Sequence, residues 1–311
     1  MAVGLFGISA FQIAGNPAKV IHGMTAMPLD FNGQPIRLGV DGSPRSAFGA
    51  IMSLAPEVQL TTVALKTALT ACGSLGLSIS SANKVTMYHQ AIADGLPAAS
   101  GHESVEVNAG LLIPQTLTLQ QGDGEDGVAS LNYRLYTLYD GTNSILDYAT
   151  GAALPTAVDL AEAYTLGPVD LDAGTRLESV ERVVIDFGLE VTKHSYNGSP
   201  YPSVITIDAV RPSIRVDLAE PKNLSEIGLV GGQGTAGVVY AQALDAYGLR
   251  ADPTESVHIS FTLGDFFTIP VQDPATQRGR VGSSFQMLPL KPSGGNELAV
   301  STAAAITITQ P

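Results

Sequence analysis

The most enzyme-like string in the chain is the glycine cluster Gly232-Gln233-Gly234-Thr235-Ala236-Gly237, which matches G-x-G-x-x-G. In a dinucleotide site, such glycines let the backbone approach a pyrophosphate at the N-terminus of a helix. Here only about 80 of the 311 residues remain, and no series of alternating strands and helices follows. The pattern therefore favours a loop or a link between strands, and we expect no cofactor.

Two groups of carboxylates could also do chemistry. The first is Asp123, Glu125 and Asp126, where oxygen ligands could hold Ca²⁺, although their spacing does not fit an EF-hand. We interpret this stretch as a solvated hairpin loop, with a structural cation as the alternative. The second is the pair Asp186 and Glu190, which would share one face of a strand. Such a pair could serve a glycosidase. In a chain without Trp it fits a solvated acidic face better.

The remaining reactive side chains are five histidines and one cysteine, and none of them forms a recognisable motif. No two histidines stand at i, i+4 spacing, so we expect no metal site; they are His22, His89, His102, His194 and His258. Near Ser74, Cys72 stands where a G-x-S-x-G elbow needs its first glycine. A Ser-His-Asp triad of distant residues stays open. Cys72, among apolar neighbours, is expected to be a packing residue, and no enzyme is predicted.

Charge excludes several classes of partner. The chain has 16 Lys+Arg against 29 Asp+Glu, a net charge of −13, and only 14% charged residues. A protein that grips duplex DNA or an anionic membrane needs cations. The sequence contains no apolar run of about 18 residues, so we expect no membrane span. We also expect no secretion signal, because residues 1–15 contain no Lys or Arg.

The elements that must position these residues are mostly strands. Alternating Val, Ile, Thr and Tyr residues predict strands at 84–93, 104–108, 116–120, 128–139, 181–196, 203–218, 256–263, 266–271 and 305–309. Asn197-Gly198 predicts a hairpin between the two longest. A helix is predicted at 61–72, with a Thr N-cap and Gly73 after its end. Residues 238–245 fit either a helix or a strand.

These elements predict a mainly β fold, a β-sandwich or partial barrel with one packed α-helix, long strands and Gly/Pro-rich loops. The connections are placed at 32–49, 94–101, 121–127, 142–155 and 228–237. Residues 1–220 would form a core and 221–311 a C-terminal extension or subdomain, with a single domain 1–311 as the alternative.

The scarcity of charge indicates self-assembly. A monomer of 32.2 kDa exposes roughly 12,000 Å², and only 45 charged residues (16 + 29) are available to cover it. Lasting interfaces are poor in Lys and Glu at their centres, and free strand edges are useful when another subunit covers them. We therefore favour a structural protein, with an extracellular binding module as an alternative.

A family resemblance sharpens this prediction. Residues 181–218 (ERVVIDFGLEVTKHSYNGSPYPSVITIDAVRPSIRVDL) resemble the central sheet of tailed-bacteriophage major tail proteins, the subunits of the tail tube. Residues 64–76 (ALKTALTACGSLG) are similar to the helix that packs on that sheet, and 102–114 with 116–120 to the strands before it. The resemblance covers about half of the chain and leaves 228–311 unexplained, so a capsid or decoration protein is the other virion candidate.

The resemblance implies stacked homo-oligomeric rings, typically hexamers, whose inner sheets close a barrel through which the genome DNA is ejected without specific binding. It implies contacts with other virion tail proteins, assembly in the host cytoplasm and a final location in the virion tail, with no membrane partner. Acidic lumen residues would repel phosphate and let DNA slide. We expect some of these acidic residues on the lumen face: Glu103, Glu106, Asp186, Glu190, Asp208 and Asp217. The alternative is that they simply face solvent.

Overall fold

The computed structural model describes most of the chain. The described residues are 5–15, 18–39, 46–94, 96–122, 127–156, 163–171, 175–196, 198–219, 233–245, 247–271, 276–277, 280–281, 283–290 and 297–306.

Within these ranges the chain forms one helix, α1 (Leu65–Cys72), and 28 strands. The strands of the first half are β1 (Leu5–Ile13), β2 (Lys19–Ile21), β3 (Met24–Ala26), β4 (Leu29–Asp30), β5 (Gln34–Gly39), β6 (Ser46–Ser53), β7 (Glu57–Thr62), β8 (Leu77–Ile79), β9 (Val85–Ala93), β10 (Leu96–Pro97), β11 (His102–Val107), β12 (Gly110–Gln120), β13 (Ser130–Thr137) and β14 (Leu146–Ala152). The strands of the second half are β15 (Tyr164–Leu171), β16 (Thr175–Arg176), β17 (Val180–Asp186), β18 (Leu189–His194), β19 (Val204–Val210), β20 (Ser213–Leu218), β21 (Gln233–Gly234), β22 (Gly237–Ala243), β23 (His258–Leu263), β24 (Phe266–Val271), β25 (Thr276–Gln277), β26 (Arg280–Val281), β27 (Ser283–Pro289) and β28 (Leu298–Ala304).

These strands form antiparallel sheets in a β-sandwich-like fold, so the predicted mainly β class is confirmed. In the described residues the large sheet has 11 strands, in the order β21-β24-β27-β20-β17-β12-β13-β7-β3 with β4 and β8 at its side. The central sheet has five strands in the order β16-β15-β22-β23-β28, and the outer sheet has six, in the order β14-β11-β9-β1-β2 with β10 at its side. Three two-stranded pairs complete the described part: β5-β6, β18-β19 and β25-β26.

The large sheet separates apolar from polar residues, because successive side chains of a strand point to opposite faces. On the core side of β12 and β17, Leu117, Leu119 and Ile185 are fully buried. On the other side, Thr61 donates to Asn132, and Asn132 donates to Thr116, through side-chain hydrogen bonds of 2.7 and 2.9 Å. One face therefore holds the core, and the other carries a polar ladder.

The central sheet is buried on both faces along much of its length. Every residue of β22 except Val238 is buried. A backbone bond of 2.7 Å from the amide of Ala129 to the carbonyl of Tyr164 joins the chain before β13 to β15. Since β15 pairs with β22, and β20 pairs with β27, strands from before and after residue 220 share two sheets. The division into 1–220 and 221–311 stays a prediction.

The predicted helix begins later than expected. Thr61 and Thr62 belong to β7 and pair with Asn132 and Leu131 of β13, so the start at residue 61 is wrong. Their β-branched side chains suit a strand, and the sheet partner decides between the two structures. The predicted end is confirmed, because Gly73 follows Cys72 with φ of 67° and donates its N–H to the carbonyl of Leu69 over 2.8 Å.

The two longest predicted strands are each interrupted, at Gly188 and at Pro212. Strands β17 and β20 pair inside the large sheet, whereas β18 and β19 leave it as a separate two-stranded ribbon. Gly188 has φ of 60°, and a Cβ atom there would lie 1.9 Å from the carbonyl oxygen of Arg211. Strand β17 pairs with the second half of β12, and β18 would pair with the first half if the strand continued straight. That first half is already paired with β8.

Other predicted elements have mixed outcomes. The predicted hairpin pairing of the ribbon is confirmed, with His194 opposite Val204, although Asn197 lies outside the described residues. Residues 237–243 are a strand, which decides the open choice at 238–245. The expected loop at 142–155 is wrong, because it contains β14. The strand expected at 305–309 is also misplaced: β28 ends at Ala304, and residues 307–311 lie outside the described ranges.

Candidate self-association surface

The outer sheet extends beyond the part of it that covers the core. At one end, Val85, Met87 and Val107 are buried with at most 2% exposure. Farther along, none of residues 88–93 of β9 is buried, and residues 147–151 of β14 are all exposed. We call this end the overhang: residues 88–93, 96–97, 102–104 and 147–152. On β9 and β14 no side chain of the overhang is buried, whereas His102 and Ser104 of β11, between them, are buried with 6% and 8% exposure.

The uncovered state of the overhang is clearest at Tyr148. Cross-strand pairing places Tyr148 opposite Val105, and Val105 opposite the buried Met87. The three side chains therefore lie on one face. Along this row exposure rises from 2% at Met87 to 59% at Tyr148. The face that forms the core at one end is thus open to solvent at the other.

The free edge of β14 has only one of the usual protections against pairing, a β-bulge at Gly151. Its inner edge pairs with β11, and no strand in the described ranges pairs with its outer edge. Monomeric proteins protect such edges with Lys, Pro or a bulge. The strand LDYATGA contains neither Lys, Arg nor Pro and carries a single charge, Asp147. On this edge, residues 146–150 precede the bulge and contain no Lys, Arg or Pro.

Hydrogen bonds hold the overhang as an ordered layer. Nδ1 of His102 accepts the backbone N–H of Ala91 over 3.1 Å, which ties β11 to β9. The phenol of Tyr88 donates to the side-chain oxygen of Gln12 over 2.8 Å, which ties β9 to β1. The hydrogen bond that Tyr148 donates to the Glu103 carboxylate raises the pKa of Tyr148. These hydrogen bonds therefore fix the strands of the overhang relative to one another.

The ribbon is the second exposed element. Its connecting loop is fixed to the body by backbone bonds of 2.8 Å, from Leu54 to Pro200 and from Tyr139 to Pro202. On one face, Lys193 pairs with Glu57. The exposed fractions of Val204 and Ile207 on β19 are 39% and 38%. Apolar strand residues thus remain in contact with solvent.

The face of the ribbon opposite Lys193 carries Val204 together with polar residues. Asp208 accepts hydrogen bonds from the hydroxyls of Thr192 and Thr206, and these bonds lower the pKa of its carboxyl. The charged form of Asp208 is therefore favoured at neutral pH.

The six acidic residues predicted at a lumen face are not brought together within one chain. Glu103 and Glu106 lie on opposite faces of β11, because their positions differ by an odd number. Asp186 and Asp217 lie on the polar side of the large sheet, on β17 and β20. Glu190 and Asp208 belong to the ribbon. The expectation that Asp186 and Glu190 share one strand face is wrong, because the break at Gly188 separates them.

Three of these six carboxylates are neutralised by cations of the same chain. Their ion pairs are Glu106 with Lys84 at 2.7 Å, Glu190 with Arg211 at 3.0 Å, and Asp217 with Arg215 at 2.9 Å. A fourth, Asp186, accepts the backbone N–H of Gly188 over 2.8 Å. The lumen placement of the six stays a prediction.

The motifs weighed for catalysis have structural settings. Gly234 lies against the ring of Phe266, where a Cβ atom would come within 2.2 Å, and a strand follows at Gly237 where a dinucleotide site needs a helix. Gly232 lies outside the described residues. Burial raises the pKa of the Cys72 thiol to about 12, which fits a packing residue.

The histidines and acidic loop residues form no evident metal site. In the part of the chain that the structure describes, no three His, Cys, Asp or Glu side chains are placed to share a metal ion. His258 is fully buried: Nδ1 accepts the N–H of Ala243 over 3.1 Å, and Nε2 lies 2.9 Å from the carbonyl of Asp252. Burial lowers the pKa of His89. Asp123, Glu125 and Asp126 lie outside the described residues.

Comparisons with known proteins add no family. No protein-family model matches the chain, and no curated protein matches its sequence. Among the described residues, no helix is both long enough and apolar enough to cross a membrane.

Proposed function

We propose that the chain is a self-assembling structural subunit, and that it builds a tail tube of stacked rings in a virion. The overhang carries this proposal. A sheet end whose edge strand β14 is exposed and contains no Lys, Arg or Pro gains stability when a second copy covers it, since burial of apolar area is the main favourable term in association.

The composition of the chain supports the same function. The low fraction of charged residues, 14%, suits a surface that is largely covered by other subunits.

Passage of DNA through such a tube needs a lumen that does not bind phosphate. The exposed carboxylates Asp186 and Asp208, which have no ion pair with a cation of the same chain among the described residues, are the best candidates for lumen residues. The pKa of Asp208 is lowered by its threonine neighbours, so it stays charged. The repulsion between these anions and phosphate would keep DNA mobile.

A binding module is the second candidate function. A tight loop after β22 presents Tyr247 and Leu249 with 89% and 65% exposure, and the carboxylate of Asp245 fixes it by accepting both of their backbone N–H groups over 2.8 Å. Rigid exposed tyrosines are common anchors of binding surfaces. A capsid or decoration protein would share the self-association and differ in the shape of the assembly.

Size-exclusion chromatography with light scattering, followed by negative-stain microscopy, tests the proposal. We expect a closed oligomer that stacks into tubes on the order of 100 Å across. Closed shells or isolated patches would favour the capsid or decoration alternative. A monomer at high concentration would contradict both virion functions and favour the binding module.

A further inference from the structure

His258 is fully buried at the start of β23, and both nitrogens of its ring contact backbone groups. Nδ1 accepts the N–H of Ala243 on β22 over 3.1 Å, and Nε2 lies 2.9 Å from the carbonyl oxygen of Asp252. An N–H group can only donate, so Nδ1 carries no proton, and the single ring hydrogen is on Nε2, which donates it to Asp252. The neutral ring therefore joins the end of β22 to the loop that follows it.

The loop that this ring holds, residues 247–257, has an exposed apolar tip, and we call it the pinned loop. Tyr247 and Leu249 of the tip are 89% and 65% exposed. Ala251 of the same loop donates its N–H to the carbonyl oxygen of Ala243 over 2.9 Å. The residue that binds the ring thus also binds the loop directly, so the position of the tip depends on the contacts at Ala243.

We propose that His258 is an acid-sensitive pin, whose protonation releases the pinned loop from β22. A second proton on the ring can enter only at Nδ1, which would then point a hydrogen at the N–H of Ala243. Two donors cannot bond to each other, so this hydrogen bond is lost and the ring leaves its place. A charge in a fully buried site adds to the cost of the closed form. The proposal concerns one loop within the chain and does not depend on self-assembly.

The charged groups around the ring favour this displacement. The lowered pKa of Asp252 arises mainly from hydrogen bonds donated by Thr254, and His258 contributes to it as a nearby positive charge. A protonated ring would therefore be attracted toward Asp252 and away from Ala243. Strand β28, which also pairs with β23, contains no titratable side chain. The other titratable side chains at this end of the central sheet are Tyr164 on β15, Tyr240 on β22, and Asp245, Arg250 and Glu255 in and beside the loop.

His102 of the outer sheet provides a matched control. It stands at the start of β11, as His258 stands at the start of β23, and its Nδ1 accepts the N–H of Ala91 over 3.1 Å. The same change can therefore be made at two buried histidines, of which only one contacts the pinned loop.

The first test compares hydrogen–deuterium exchange of the wild-type chain at about pH 8 and about pH 5, the range in which histidines change charge. The rates are corrected for the pH dependence of exchange in free peptides. At the lower pH, protection of the amides of Ala243 and Ala251 should fall at least tenfold, while residues 238–241 of β22 keep theirs. Unchanged protection of Ala243 and Ala251, or an equal loss at residues 238–241, would overturn the proposal.

The second test uses His258→Asn, which keeps an acceptor near the place of Nδ1 but has no group that binds a proton in this pH range. Its Ala243 and Ala251 amides should have the same protection at both pH values. His102→Asn should keep the full acid response of these two amides. Circular dichroism at about pH 8 checks that both variants fold.

Each outcome decides the proposal. A folded His258→Asn variant that still loses protection in acid would contradict it, because another group would then carry the response. If His258→Asn does not fold, the wild-type contrast between Ala243 with Ala251 and residues 238–241 decides alone. Loss of the acid response in His102→Asn would also contradict the assignment to His258.

Discussion

Strands β22 and β14 show how little a strand's own residues decide its burial. Both have seven residues, and both combine Tyr, Gly and Ala: GVVYAQA in β22 and LDYATGA in β14. Nearly all of β22 is buried, whereas β14 is exposed along most of its length. The difference arises from their neighbours, because β22 lies inside the central sheet and β14 lies at the edge of the overhang. The same kinds of residue are therefore buried or exposed according to the strands beside them.

Truncation of a core side chain should have the largest effect on stability. Phe261 of β23 is fully buried, so Phe261→Ala should lower the free energy of unfolding by about 3–5 kcal/mol. Tyr148→Ala in the overhang should change it by less than about 1 kcal/mol in the monomer, since most of this side chain already faces water. Urea unfolding of dilute protein measures both. Equal losses would mean that the overhang is packed as tightly as the central sheet.

The second comparison concerns the cost of adding a methyl group at two glycines, Gly188 at the start of the ribbon and Gly151 in β14. Gly188 and Gly151 both have positive φ, 60° and 71°, but only Gly188 has backbone atoms within 3 Å of the place of a Cβ. Gly188→Ala should cost about 2–3 kcal/mol, and Gly151→Ala about 1 kcal/mol. Thermal unfolding and proteolysis between β18 and β19 test this. If Gly188→Ala is as mild as Gly151→Ala, the ribbon does not depend on this close contact.

The smallest expected effects are changes in the pKa of two exposed carboxyls, Asp208 in the ribbon and Asp252 before β23. Hydrogen bonds from Thr254 lower the pKa of Asp252, and those from Thr192 and Thr206 lower that of Asp208. Each carboxylate therefore contributes stability above its unfolded pKa, about 3.9, and this contribution is lost as the pH falls through the lower folded pKa. Thr254→Val should raise the pKa of Asp252 only, and Thr206→Val that of Asp208 only. An NMR titration that shows both carboxyls moving in either variant would contradict these local assignments.

Sequence reasoning predicts elements whose pattern is local. The strand at Phe266–Val271 and the end of the helix at Gly73 follow from alternation and from a glycine with positive φ. The start of the helix does not, because Thr61 and Thr62 suit a strand equally well and only their partner β13 decides. Local patterns thus predict what an element is, and its partners decide where it begins.

The overhang also could not be predicted from the sequence, because its strands depend on their partners. Residues 142–155, rich in small and turn-forming residues, are typical of a connection, and β14 forms there because β11 offers it an edge. The break of the ribbon had one signal, Gly188 on one strand and Pro212 on the other, but a glycine and a proline alone do not indicate that a strand leaves its sheet. Because the acidic residues alternate with apolar residues along their strands, some of them were expected to share a lumen face. In the structure β11, β17 and the ribbon belong to different sheets, so the acidic residues lie in different places.

Hydrogen–deuterium exchange of the wild-type chain at low and high concentration tests most directly whether another copy covers the overhang. Self-association should slow exchange of the amides of residues 147–152 by at least tenfold, while those of β22, already inside the central sheet, keep their rates. Assembly without any change at residues 147–152, or no assembly at the highest concentration, would contradict the account.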